Sequence, residues 1–202
     1  MQYYKYGIKE IEYLKKKDKK LGEAIDRIGL IDREITPNLF PAIIDSIISQ
    51  QISSKAAETV FRRLSDLVGE LTPVNIVNMD VEKIQQCGMT LRKAGYIRNI
   101  AQKVLAGEFD LEELPKLSDE DIINKLVALN GIGIWTAEML LIFALCRPDV
   151  VSYGDLAIRR GIITLYGLKE LSKDKFNRYR KRYSPYGTVA SLYLWKLSAE
   201  KL

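Results

Sequence analysis

Apolar residues recur at the spacing of one helix face through most of the chain. Ile8, Ile11 and Leu14 mark the first stretch, and Leu21, Ala24, Ile25 and Ile28 the next. Ile43, Ile44, Ile47 and Ile48 repeat the pattern, as do Ala56, Ala57, Val60, Phe61 and Leu64. The breaks carry helix punctuation. Thr36-Pro37-Asn38 precedes one helix, and Leu71-Thr72-Pro73 opens another with proline in the tolerated first turn. Leu117-Ser118-Asp119-Glu120-Asp121 combines an N-cap with acids where the helix dipole favours them. No alternating run of useful length predicts a strand, and no internal repeat or low-complexity linker is present. The run Lys15-Lys16-Lys17-Asp18-Lys19-Lys20 reads as a solvated face or turn. The pattern predicts an all-α protein.

Composition narrows the chemistry. The chain has 202 residues, 47% of them hydrophobic, which suits one sizeable core or two small lobes. Its longest apolar run, Met139 to Cys146, is too short to span a bilayer. The stretch Met1 to Lys20 lacks the apolar centre of a signal peptide. The expectation is therefore a cytoplasmic protein with no membrane partner. Cys87 and Cys146 sit in apolar or helical context and read as buried small hydrophobes rather than a disulfide. Two cysteines cannot hold a four-cysteine iron–sulfur cluster. Histidine is absent, so histidine bases, Ser–His and Cys–His nucleophiles and the common zinc sites are excluded. Acid–base work falls to carboxylates, lysine, tyrosine or water. The net charge of +5 is compatible with nucleic acid.

The most informative stretch is Leu126-Val127-Ala128-Leu129-Asn130-Gly131-Ile132-Gly133-Ile134-Trp135-Thr136-Ala137. A helix over 119–129 meets two glycines, and a second helix starts at once. Glycines permit a tight turn, and the turn aims backbone N–H groups outward at a helix start, a setting that suits a phosphate. Ile132 is expected to point inward as the anchor. A plain helix-to-helix turn is the competing reading. Downstream, Val151-Ser152-Tyr153-Gly154-Asp155-Leu156-Ala157-Ile158-Arg159-Arg160-Gly161 places an aspartate just before an apolar helical run, where it can also serve as an N-cap.

The string from Gly131 to Ala137, with Asp155 after it, resembles the helix-hairpin-helix DNA glycosylases. Trp135 and Trp195, with Pro185-Tyr186, make it look most like the alkylpurine (3-methyladenine) branch. The segment Ile47-Ile48-Ser49-Gln50-Gln51-Ile52-Ser53 resembles the part of those enzymes that enters the minor groove and fills the gap left by a flipped base. Gly88-Met89-Thr90-Leu91-Arg92-Lys93-Ala94 resembles the turn that follows. The wedge position holds Gln51, polar where some relatives are apolar, and Met139 stands where some carry a pocket aromatic.

The resemblance implies a two-lobed helical bundle with a DNA-binding cleft between the lobes. One lobe is expected over about 38–138, with the hairpin at 129–135, and the other over about 1–37 plus 139–202. It implies a monomeric base-excision enzyme that binds double-stranded DNA containing damaged bases, flips alkylated purines out and hydrolyses the N-glycosidic bond. Asp155 is the implied catalytic carboxylate. Trp135, Trp195, Met139 and Tyr153 are candidate substrate contacts. Gln50, Gln51, Gly131, Gly133 and Thr136 are candidate DNA contacts. No cofactor is expected, although a monovalent cation on the Leu129 and Gly131 carbonyls is a candidate. Bifunctional relatives carry an attacking lysine near the hairpin. This chain has Trp135 there, so no lyase step is expected. A glycosylase for hypoxanthine or an oxidised base, and a non-catalytic DNA-binding protein, remain alternatives. The basic residues Arg159, Arg160, Lys173, Lys175, Arg178, Arg180, Lys181 and Arg182 give the downstream helices a positive character suited to phosphate.

Overall fold

The computed structural model describes residues 2–200. The elements in chain order are β1 (Gln2–Tyr3), α1 (Ile8–Lys17), α2 (Lys19–Ile28), β2 (Glu34–Ile35), α3 (Leu39–Ile48), α4 (Ser54–Val68), α5 (Pro73–Val77) and α6 (Val81–Gln86). They continue with α7 (Leu91–Leu105), α8 (Asp119–Val127), α9 (Ile134–Phe143), α10 (Leu156–Tyr166), α11 (Lys173–Tyr183) and α12 (Gly187–Ala199). The protein is all-α apart from one short ladder. Gln2 pairs antiparallel with Ile35 and Tyr3 with Glu34, a match too short to leave any alternation in the sequence. Among the described residues no helix is long and apolar enough to cross a membrane.

Local side chains set most helix starts. Ser53, Thr72, Thr90, Ser118 and Ser172 each accept a hydrogen bond from a first-turn backbone N–H of the helix they precede. The chain divides into two compact units: residues up to Ile35 together with those from Leu141 onward, and Thr36–Leu140. In the second unit Ile43, Ile44, Ile47 and Ile48 of α3 are fully buried, as are Ile97 and Ile100 of α7, the helix on which α3, α5 and α6 pack.

In the first unit α12 is buried on nearly every face, and α10 and α2 pack against it. Gly161 makes the α10 approach possible, because any side chain there would run into the Leu194 backbone. The lysine run is the expected solvated turn at Lys16, Lys17, Lys19 and Lys20, which are exposed, but its one acid is not. Asp18 within it is 3% exposed and ends α1 by capping α2, accepting from Leu21 N at 3.0 Å. Its second oxygen accepts from Arg182 at 2.6 Å and from Tyr166 at 2.5 Å. A buried carboxylate needs such partners, and they lie far away in sequence. Burial pushes the Tyr166 and Tyr183 phenols up, so both remain donors: Tyr183 to Tyr166, and Tyr166 to Asp18. Of the two cysteines, both free, only Cys87 is buried; Cys146 is half-buried, in a left-handed conformation at φ 53°.

Candidate active site

The hairpin starts earlier than expected, because α8 stops at Val127. Tight bonds then carry the chain round: Leu129 N to Leu126 O at 3.0 Å and Ile132 N to Leu129 O at 3.2 Å. Gly131 sits at φ 88°, and an added Cβ would lie 2.6 Å from the Tyr96 ring, so only glycine fits. Ile132 is buried at 5% exposure as the anchor. Gly133 is different: it has no left-handed φ and nothing within 4 Å of a Cβ. Its carbonyl accepts from Ala137 N at 2.9 Å and begins α9, whose first turn aims backbone N–H groups at the end where the dipole favours an anion. Ile134 and Trp135 are 62% and 48% exposed there, and Met139 follows Trp135 one helical turn later, half-buried. Thr136, in the same turn, is buried.

Beside the hairpin, in the same unit, the turn after α3 carries Gln50 and Gln51. Gln51 is exposed and left-handed at φ 60°, unusual for a residue with a side chain. The Gln50 amide donates to Gly131 O at 2.7 Å, and Lys93 of α7 donates to Ile48 O at 2.8 Å and to Gln50 O at 2.6 Å. A cleft of about 630 Å³ opens here, lined by Gln51, Thr90, Arg92 and Tyr96 among others. The Leu129 and Gly131 carbonyls thus already accept hydrogen bonds, from Ile132 N and Gln50 Nε2. Among the described residues no cluster of three or more acidic or cysteine side chains adds ligands. Each carbonyl oxygen has a second lone pair, so these bonds leave it able to take a further partner.

In the other unit Asp155 is the N-cap of α10. It is 7% exposed and its Oδ1 accepts from Ile158 N at 2.8 Å, so the carboxylate is both buried and oriented. Trp195 stacks on Phe143 at 5.6 Å with 28° between the rings. The Arg33 guanidinium lies over the same pair, 4.6 Å from the Phe143 centroid and 5.9 Å from that of Trp195. Tyr153 is half-buried in the same unit. Its ring meets Phe176 edge-on at 5.0 Å and carries the charges of Arg159 at 5.3 Å and Lys173 at 5.9 Å. Arg182 is committed to Asp18. Sequence reasoning missed Arg33 and Phe143 as neighbours of Trp195 and, in the other unit, Tyr96 as the neighbour of Gly131. Arg33 lies in the loop between α2 and β2 and shares no spacing with its aromatic partners.

The chain matches the model of the HhH-GPD superfamily base excision DNA repair proteins over residues 44–185. It is 38% identical over 164 residues to DNA-3-methyladenine glycosylase 1 of Schizosaccharomyces pombe, covering 79% of this chain and 72% of that one. The crystal structure of a DNA-3-methyladenine glycosidase from Bacillus halodurans superposes with a TM-score of 0.88 at 37% identity, over 98% of this chain and 93% of that one. The Schizosaccharomyces pombe 3-methyladenine DNA glycosylase in complex with abasic DNA superposes with a TM-score of 0.80 at 33% identity, over 94% and 96%.

Proposed function

The chain belongs to the HhH-GPD superfamily of base excision DNA repair proteins, and from that membership we propose that it is a monomeric, monofunctional DNA glycosylase for alkylated purines, with Asp155 as its catalytic carboxylate. The observation that carries the reading is Asp155 itself, a buried carboxylate oriented by Ile158 N. Breaking the bond between C1′ and the purine N9 builds positive charge on the sugar, as in glycoside hydrolysis. The bonding electrons go to the base. Water adds at C1′ and gives up a proton, and an abasic sugar remains. Asp155 stabilises the sugar cation and orients the water. An N3- or N7-alkylated purine is already cationic, so it leaves as a neutral base without a second acid. The flipped base stacks on aromatic side chains, with Trp135 and Trp195 as the candidates and Met139 beside Trp135. Gln51 fills the vacated gap, and the hairpin holds backbone phosphate at the start of α9. The deciding experiment is purified protein on duplexes carrying single lesions, with alkali to cut abasic strands. Alkali-dependent cleavage at alkylated purines supports the assignment, and no cleavage on any of them rejects it.

Two further outcomes follow from the hairpin. A Gly133→Leu variant should fold, since its Cβ meets nothing, yet bind undamaged duplexes of any sequence more weakly. The expected loss is roughly 1.5–3 kcal/mol, the range of a hydrogen bond to a charged group. Anisotropy titrations on several duplexes check this, and unchanged affinity would make the turn a mere connector. Borohydride reduction on lesion-bearing DNA should trap no covalent complex, because Trp135 stands where a lyase has its amine. A high yield of crosslink would instead establish a Schiff-base step.

A further inference from the structure

Gln51 has an unfavourable backbone for its residue type and no helix to hold it. A left-handed residue with a side chain persists only where its surroundings over-determine it. Two side chains tie the residues around it, Lys93 and Gln50. The Lys93 ammonium, brought by α7, donates to Ile48 O at 2.8 Å and to Gln50 O at 2.6 Å. Ile48 is the last residue of α3, so the cation also meets the negative end of that helix. Burial lowers the Lys93 pKa, which marks a charge drawn out of water for these two contacts. Gln50 is tied at both ends: its carbonyl is held by Lys93, and its amide reaches Gly131 O at 2.7 Å. The turn that presents Gln51 and the hairpin are thereby joined in one network whose cation is Lys93.

We propose that Lys93 is a positioning residue for base displacement: it holds the Gln50–Gln51 turn rigid, and in register with the hairpin, so that Gln51 can enter the stack as the base leaves. The inference rests on the reading of Gln51 as the gap-filling residue. It predicts a dependence on base pairing. Filling the gap matters when a stacked, paired base must be displaced, and matters little when the lesion is already unpaired, because flipping then costs least.

The test compares single-turnover release of one alkylated purine placed in a normal pair and in a single-base bulge. Lys93→Met removes the donors and retains the aliphatic stem. It should slow release from the paired duplex roughly 10- to 100-fold, the scale on which small misplacements act in a positioned reaction, while release from the bulge stays within a few-fold of the parent. Lys93→Arg, which retains a cation with several donors, should recover most of the paired rate. The paired-to-bulged ratio is internal to each variant, so a reduced folded fraction cancels. Equal slowing on both duplexes would overturn the proposal and make Lys93 a general fold contact. Gln51→Ala is run alongside. If Gln51→Ala shows the pairing-dependent defect and Lys93→Met does not, the Lys93 assignment fails and the gap-filling reading stands. If Gln51→Ala shows no such defect, the gap-filling reading fails and the proposal falls with it.

Discussion

Asp155→Asn is expected to bind damaged duplex as the parent does and to release its base at least roughly 10²–10³-fold more slowly, by analogy with deletion of one charge-stabilising donor at about 2.7–4 kcal/mol. Asparagine is the informative replacement. Its side-chain oxygen can still accept from Ile158 N, now at 2.8 Å, so the N-cap of α10 survives and the fold is spared. Only the negative charge goes. A carboxylate that merely capped the helix would lose almost nothing by this change, whereas one that faces a developing sugar cation loses its main contribution. Single-turnover release and anisotropy on the same duplex separate the two. Near-parental release by Asp155→Asn would remove this residue from the chemistry and leave the helix cap as its whole role.

The second large effect concerns which lesions are excised. Duplexes carrying 3-methyladenine or 7-methylguanine should be processed much faster than those carrying hypoxanthine or 8-oxoguanine. The chain has no histidine to protonate a neutral leaving base, and the proposed mechanism uses Asp155 alone. Aromatic faces also attract a desolvated cation by about 2 kcal/mol, roughly 30-fold in rate when expressed at the transition state. The structure adds an opposing element. Arg33 already places a positive charge over the Phe143–Trp195 pair, 4.6 and 5.9 Å from the two ring centroids. It competes for the same π-density and repels a cationic base that uses Trp195. Arg33→Ala should therefore widen the gap between methylated and neutral lesions. Single-turnover rates on the four duplexes measure both effects. Fastest release of 8-oxoguanine would defeat the charge argument, and a narrower gap in Arg33→Ala would show that Trp195 does not meet the charged base.

Most of the fold was legible because the information was local. A helix repeats its contacts every few residues, so the isoleucines at 43, 44, 47 and 48 announce both α3 and its buried face. Caps act within one turn, which is why Ser118 and Asp155 could be read as helix starts from their neighbours alone. The hairpin needed glycine at one position for backbone reasons, and Gly131 at φ 88° is that position. Gly133 looked equivalent in the sequence, yet its backbone is ordinary and its value lies in open space.

The sequence by itself determined the helices, their buried faces, the hairpin and the presence of a carboxylate that caps α10. Tertiary structure decided how polar groups are matched. Lys93 reaches Gln50 across 43 residues, Gln50 reaches Gly131 across 81, and Asp18 meets Arg182 across 164. Such pairs leave no period in the chain. One charged residue inside a lysine run looks the same whether it faces water or a buried arginine. Only the folded chain, in which each buried charge or carbonyl must find a partner or lose its hydration uncompensated, selects which residue answers it.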